Sequence, residues 1–258
     1  MYDTPDGSFP SVTTILGIVG KPALVAWSAN VEREMVIVES GKLYHDLQGV
    51  EEMNSVLWAT TMADRLGKER AHQRALTKAG EIGKQVHALI EWTLKADLLV
   101  AAGPSPRVNA AAQIAFSAWM QWKTSVKLKP IAIEQKVWSK HHGFAGTLDL
   151  LALVNGRETV VDWKTGKAVY PEAHLQNAAY RSAMREMGLG DPAAGLIVRL
   201  PKVETDPGFE IIEAGKMPNG TKMSELELLE VFLNAKKLWD YIEIMDTYDK
   251  KQVETVSA

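Results

Sequence analysis

An Asn-Gly pair between two apolar segments constrains the fold of this chain more than any other feature. Asn155-Gly156 separates residues 144–154 from residues 158–164, and both segments are rich in aliphatic and β-branched residues. Asn-Gly in this setting is the strongest short-range signal for a β-hairpin with a two-residue turn. The positions of every facing pair in such a hairpin add up to 311, as 155 and 156 do.

This register places acidic side chains face to face. Asp149 lies opposite Asp162, where Cβ atoms are roughly 4.5–5.5 Å apart and like charges repel. Lys164 projects to the same side as Asp162, whereas Trp163 points to the other side, because side chains alternate along a strand. Two carboxylates and an ammonium group on one face predict a divalent-metal site. The alternative is a solvated hairpin face.

Length and composition exclude several classes of protein. The chain has 258 residues, of which 46% are hydrophobic and 24% charged, as in globular domains. No apolar run reaches the roughly 18 residues of a membrane span, so we expect a cytoplasmic protein without a membrane partner. The chain has no cysteine, which excludes disulfides, thiolate zinc sites and cysteine-held iron–sulfur clusters. Any metal is therefore bound by oxygen and imidazole ligands.

The remaining pattern predicts a mixed α/β (α+β) fold with a central mixed sheet. Glycines divide the helical stretch over 54–97, and we expect two helices that meet near Gly80. A hairpin element near 209–212 and a helix over 224–245 complete the chain. The predicted order α-β-β-β-α-β runs through a helix at 81–96 or 108–126, strands at 131–140, 144–154 and 158–164, a helix at 173–187 and a strand at 194–200.

The charge distribution gives a weaker signal for nucleic acid. The net charge is −3, but the segment from Asp64 to Lys84 carries six basic and three acidic residues. Arg70 and Arg74 lie in this basic segment, which we interpret as a surface for DNA phosphates. The alternative is a solvated helix face with scattered ion pairs. In that case the substrate path lies among Lys127, Lys129, Lys136 and Lys140.

Other candidate residues lie on the predicted helices. Gln176 and Tyr180 are four residues apart and share one face of the helix after the acidic strand. His87 and Glu91 share one face of an upstream helix in the same way. Taken alone, each pair is typical of packing or solvent-facing residues.

Taken together, the motifs follow one another in the order His87, Glu134, Asp149, Asp162-x-Lys164, Gln176-x-x-x-Tyr180. This order resembles the PD-(D/E)xK nuclease superfamily, in particular its RecB-like exonuclease branch. The resemblance covers residues 80–200 and implies a restriction-endonuclease-like core. Residues 1–79 are then a helical N-terminal extension and residues 201–258 a C-terminal hairpin and helix of one nuclease domain. The segment Pro-Ser-Val-Thr-Thr-Ile-Leu at 10–16 is similar to the opening of phage-encoded members.

The resemblance implies catalytic roles for the residues of the hairpin. Asp149, which ends the motif Gly-Thr-Leu-Asp, matches the first acidic metal ligand. Asp162 and Lys164 match the acid-x-lysine motif, in which the middle residue, here Trp163, offers its backbone carbonyl to the metal. Lys164 then orients the attacking water or offsets charge that develops on the phosphate.

The other motifs match supporting positions of the family. His87 matches a helical histidine that ligates a second metal, and Glu134 corresponds to a strand glutamate that supports the site. Gln176 and Tyr180 match a motif associated with substrate positioning. Since the chain has no cysteine, it cannot belong to the iron–sulfur members of the branch.

These residues predict a deoxyribonuclease with one or two Mg²⁺ or Mn²⁺ ions. The expected substrate is DNA with free ends, particularly single-stranded ends, in recombination, repair or phage DNA processing. Recombination or replication proteins are the expected partners, in the cytoplasm of a bacterial cell or a phage-infected host. The alternatives are a structure-specific endonuclease on the same fold and a catalytically idle subunit for DNA binding or assembly.

Overall fold

The structure is a computed structural model that describes residues 1–48, 54–206 and 208–256. The strands of this part of the chain are β1 (Tyr2–Thr4), β2 (Gly7–Phe9), β3 (Leu128–Ser139), β4 (Phe144–Val154), β5 (Arg157–Thr165), β6 (Ala194–Leu200) and β7 (Glu210–Glu213). Its helices are α1 (Val12–Leu16), α2 (Pro22–Asp46), α3 (Ser55–Leu66), α4 (Ala71–Asp97), α5 (Ala110–Ser125), α6 (Pro171–Glu186) and α7 (Glu225–Val256). None of these helices combines the length and the apolar character that crossing a bilayer requires.

The chain forms two compact units. The first unit comprises residues 1–19 and the chain from residue 82 onward, and the second comprises Gly20–Glu81. The sheet belongs to the first unit, whereas α2, α3 and the start of α4 form the second. Residues 1–19 of the expected N-terminal extension begin with the hairpin β1–β2 and belong to the unit that contains the sheet.

A five-stranded mixed sheet with the strand order β3-β4-β5-β6-β7 forms the centre of the first unit. Strands β5 and β6 are parallel, and the other neighbours are antiparallel. The elements α4, β3, β4, β5, α6 and β6 follow the order α-β-β-β-α-β, with α5 inserted after α4. The predicted fold class is therefore confirmed.

The predicted hairpin is present, but its ladder is shorter than expected. Asn155 and Gly156 have φ values of 52° and 84°, the left-handed conformation that a type I′ turn requires. The predicted register holds from the turn to the pair Leu150–Val161 and ends there. The prediction that Asp149 directly faces Asp162 is wrong. Strands β4 and β5 separate after the pair Leu150–Val161, so the Asp149 and Asp162 carboxylates do not form the next cross-strand pair.

Helices cover both faces of the sheet. On one face α4 and α5 pack on a cluster in which the Trp163 ring meets Trp119 and Trp122 edge to face, with centroids 6.0 and 5.2 Å apart. Such aromatic pairs contribute about 0.5–1.5 kcal/mol beyond the area they bury. On the other face α1, α6 and α7 enclose a second cluster that includes Phe144 and Phe232. The two clusters hold the strands of the site in place from both sides.

The predicted helix break near Gly80 is wrong. Helix α4 runs without interruption through Gly80 and Gly83, and the break lies at Gly67, whose φ of +67° ends α3. A glycine inside a helix costs about 1 kcal/mol, which the packing of the rest of α4 outweighs. Glycine at position 83 allows α4 to lie close to β5, because a Cβ atom there would lie 3.3 Å from Thr165 Oγ1. The close approach brings the next turn of α4, which carries His87, to the sheet.

Candidate active site

The predicted site residues of the first unit lie where β4 and β5 separate. We call the opening between residues 146–149 of β4 and residues 162–165 of β5 the fork. Each neighbouring element contributes side chains to it, namely His87 from α4, Glu134 from β3, Asp149 from β4, Asp162 and Lys164 from β5, and Gln176 and Tyr180 from α6.

Asp149 joins the two strands of the fork beyond the end of the ladder. Its Oδ2 accepts a hydrogen bond of 2.8 Å from the backbone N–H of Trp163, and its Oδ1 lies 3.5 Å from His87 Nδ1. Burial alone would raise the pKa of Asp149, but the nearby His87 and Lys164 and the Trp163 N–H together lower it. The N–H and C=O groups of one residue in a strand face the same neighbour. The Trp163 carbonyl therefore also faces the side on which Asp149 lies.

His87, Glu134 and Asp149 form a group of potential metal ligands. Each of the three residues offers a ligand atom, and these atoms lie within 4.8 Å of one another. Glu134 has a φ of 49°, an uncommon conformation for a residue within a strand. Burial and the charge of Asp149 raise the pKa of Glu134 to about 7. Burial would lower the pKa of His87, but the Asp149 and Asp162 carboxylates raise it to about 9.

Asp162 is not part of that group and pairs with Lys164. Lys164 Nζ lies 2.9 Å from Asp162 Oδ1 and 2.8 Å from Oδ2, and it also donates to Gln176 Oε1 at 2.9 Å. Asp162 is only 2% exposed, and burial raises its pKa to about 6 despite the ammonium group. Its Oδ2 accepts no hydrogen bond of good geometry from the described residues. One carboxylate lone pair is thus left for a further ligand.

A chain of hydrogen bonds connects Lys164 to α6. Gln176 accepts from Lys164 and donates from Nε2 to the Tyr180 hydroxyl at 3.0 Å. Burial raises the pKa of Tyr180, so its phenol stays protonated at neutral pH. The structure thus brings the predicted Gln-x-x-x-Tyr pair to the acid-x-lysine motif, with Gln176 holding the lysine.

Sequence reasoning missed the role of Gly146 in this arrangement. A Cβ atom on Gly146 would lie 2.5 Å from Tyr180 Cε1, so the ring occupies the space that a side chain would need. The sequence signal was present, since this glycine is three residues before Asp149. Its contact with an aromatic ring on a later helix was not visible from spacing.

Other predicted residues lie outside the fork. Glu91 pairs with Lys95 at 2.6 Å, and its charge contributes to the raised pKa of Glu134. Arg70 precedes α4 and Arg74 lies in its first turns, so both belong to the second unit. There Arg74 donates to the Glu69 carbonyl at 2.8 Å.

The donors of the fork fit a divalent cation. Carboxylate oxygens and one imidazole are ligands of Mg²⁺ and Mn²⁺. Desolvation raises the pKa of both Glu134 and Asp162 although His87 and Lys164 lie nearby, and a bound cation would supply further positive charge. The candidate ligand atoms come from an α-helix and two strands that two hydrophobic clusters hold in place.

Comparison with known proteins agrees with this geometry. No curated protein matches the sequence significantly. Thirteen chains of solved structures match, and one of them, described as "Crystal structure of SSO0001", is 13% identical over 61% of this chain and 74% of that chain, with a TM-score of 0.27. That overlap is too small to inform the function. The profile of the PD-(D/E)XK nuclease superfamily, however, matches residues 55–243, a range that includes every element of the fork. The chain belongs to the PD-(D/E)XK nuclease superfamily.

Proposed function

We propose that this chain is a metal-dependent exonuclease of the RecB-like branch that hydrolyses phosphodiester bonds from free, particularly single-stranded, DNA ends. The observation that carries the proposal is the position of His87. The imidazole of this helical residue lies 3.5 Å from Asp149, the proposed first acidic ligand, and within 4.8 Å of a potential ligand atom of Glu134. A helical histidine at this place is the feature by which the chain resembles that branch.

His87, Glu134 and Asp149 would hold one divalent ion. Asp162 and the Trp163 carbonyl, which faces the side of Asp149, would contribute ligands to a second ion or to the same one. When bound, Mg²⁺ or Mn²⁺ polarises the scissile phosphate and lowers the pKa of a coordinated water. The mixed oxygen and imidazole set on the His87 side favours Mn²⁺ there.

Lys164 contributes positive charge to the site from the chain itself. Its side chain is one-third exposed, and its ammonium group is held between Asp162 and Gln176. From there it orients the attacking water or offsets the charge that develops on the phosphate. Tyr180 acts on this position through Gln176, so we assign both α6 residues to positioning.

Four labelled substrates test the proposal. The protein is incubated with Mg²⁺ or Mn²⁺ and 5′-labelled or 3′-labelled linear single strands, a linear duplex and a covalently closed circle. We expect metal-dependent release of nucleotides from linear strands, none in the presence of a chelator, and an intact circle. Asp162→Asn, which keeps the shape of the side chain, is the matched inactive control.

The other outcomes have defined meanings. Cutting of the closed circle would identify a structure-specific endonuclease instead. DNA binding without turnover in either metal would identify an idle subunit for DNA binding or assembly. Retained turnover in Asp162→Asn would show that the hydrolysing site lies elsewhere.

A further inference from the structure

The N-terminal segment occupies the edge of β4 that β5 leaves open at the fork. Beyond the end of the β4–β5 ladder, Ser11 forms a parallel bridge with Ala145, and the Ala145 N–H donates to the Pro10 carbonyl at 3.0 Å. The following helix α1 buries Val12 and Ile15 in the same cluster as α6. The N-terminal segment is therefore fixed beside the fork.

The hairpin β1–β2, which precedes this segment, is held at its turn as well. Asp6 accepts a hydrogen bond of 3.0 Å from Trp138 Nε1 and one of 2.9 Å from Lys140 Nζ, both on or just after β3. Within the hairpin, Tyr2 pairs with Phe9. These contacts give the first residues of the hairpin a defined position.

Tyr2 and Thr147 bring two hydroxyl groups together at the edge of the fork. The Tyr2 hydroxyl lies 3.3 Å from Thr147 Oγ1, and both side chains are half-buried. Hydrogen bonds between two hydroxyls are usually 2.5–3.0 Å long, roughly 2.7–2.8 Å at best. The contact is thus loose. One hydroxyl donates to the other in it, and both can donate to a third group once this long contact opens.

The position of these hydroxyls relates them to the metal ligands. Thr147 precedes Asp149 by two residues, which is about 7 Å along a strand. Tyr2 is also close enough to Tyr180 to contribute to the raised pKa of its phenol. A nucleic-acid strand whose scissile phosphate lies at Asp149 has its neighbouring phosphate at a similar distance.

We propose that the Tyr2 and Thr147 hydroxyls bind the phosphate next to the scissile one. This inference rests on the proposed function of the fork. Two O–H groups that converge on one phosphate oxygen bind the backbone regardless of base sequence.

The test measures binding of single-stranded DNA by fluorescence anisotropy with Ca²⁺ in place of the catalytic metal, together with cleavage in Mg²⁺. The variants are Tyr2→Phe and Thr147→Val, which remove only the hydroxyls, in a chain whose purification tag is C-terminal. Tyr241→Phe, at an exposed tyrosine of α7, is the control. We expect each site variant to raise Kd and KM about tenfold with a nearly unchanged kcat.

A modified substrate separates a direct contact from a structural effect. Replacing the neighbouring phosphate with an uncharged methylphosphonate should weaken wild-type binding and abolish the difference between wild type and the two variants. Equal Kd values for wild type, Tyr2→Phe and Thr147→Val on ordinary DNA would overturn the inference while leaving the nuclease proposal intact. A wild-type protein that neither binds nor cleaves DNA would overturn both.

Discussion

The carboxylates of the two units differ in how their charge is compensated. In the second unit, Glu32 and Asp46 pair with basic side chains near the surface. Glu32 accepts hydrogen bonds from the backbone N–H and from Nδ1 of His72, at 3.0 and 2.7 Å, and Asp46 pairs with Arg65 at 2.5 Å. These hydrogen bonds lower the pKa of both Glu32 and Asp46.

At the fork, burial has the opposite effect. The pKa of Glu134 rises to about 7 and that of Asp162 to about 6, chiefly because both carboxylates are desolvated. A pKa shift of one unit corresponds to about 1.4 kcal/mol, so the ionised forms destabilise the metal-free fold. Local pairing of Glu32 and Asp46 thus favours folding, whereas at the fork Lys164 and His87 do not offset the desolvation of Glu134 and Asp162. Carboxylates with pKa values raised in this way are typical of a functional site.

The largest expected effect comes from the acid-x-lysine motif. Asp162→Ala and Lys164→Ala should each reduce cleavage at least about 100-fold while the far-UV circular dichroism stays unchanged. Asp162→Ala should also weaken metal binding, whereas Lys164→Ala should not, because the ammonium group repels the cation. Single-turnover rates and calorimetric metal titrations measure the two effects. More than about a tenth of wild-type turnover in Lys164→Ala would contradict the role that we assign to this residue.

The hairpin and the order of elements were predictable because they depend on local signals. Asn155-Gly156 determines the turn and hence the register, which the structure confirms as far as Leu150–Val161. The separation of the strands at Asp149 was not predictable in this way. At that point the Trp163 N–H donates to the Asp149 side chain rather than to the β4 backbone, and the spacing of residues does not reveal this.

The packing contacts between elements distant in the sequence were not predictable either. The sequence offered three glycines as helix breaks, and only Gly67 ends a helix. Gly83 instead allows α4 to approach β5, and Gly146 accommodates the Tyr180 ring. The sequence thus indicates which residues come together at the site. The small residues that allow these contacts can be identified only from the tertiary structure.

A smaller effect is expected at the helical ligand. His87→Ala removes one of the three grouped ligands, so the metal concentration for half-maximal rate should rise about 10- to 100-fold. In Mg²⁺ the variant should lose more turnover than a variant at a surface histidine that contacts no metal. Turnover is measured across a titration of each metal, with His72→Ala in the second unit as the control. Superimposable titrations of wild type and His87→Ala would show that this histidine only packs against the sheet.

The pH dependence of the free energy of unfolding distinguishes a carboxylate with a raised pKa, Glu134, from one with a lowered pKa, Glu32. Because the pKa of Glu134 is raised in the fold, its contribution to stability is complete below about pH 4.5 and is lost as the pH rises through about 7. Glu134→Gln should therefore stabilise the metal-free protein by about 1–3 kcal/mol at pH 8. It should also reduce the stabilisation that added metal gives.

Glu32→Gln is the matched control, with the opposite sign. The pKa of Glu32 is lowered, so its contribution is present above its ordinary pKa of 4.5 and is lost as the pH falls. This variant should be less stable than wild type at neutral pH. Denaturant unfolding of both variants with a chelator, from pH 4 to 8, measures the difference. Parallel pH profiles for the two variants would contradict the contrast between the units.

The smallest expected effect concerns the basic segment of the second unit. The whole chain is negative, so binding of DNA relies on a local positive surface, and affinity for phosphates falls steeply with salt. Arg70→Glu combined with Arg74→Glu should raise KM roughly three- to tenfold at low salt and less at high salt, with an unchanged metal titration. Arg33→Glu, outside the segment, is the control, and removal of the acidic residues beyond Met245 should change little. An unchanged KM at low salt would show that the segment is an ordinary solvated helix face. The substrate path would then be tested at the alternative lysines of the β3 region, Lys127, Lys129, Lys136 and Lys140.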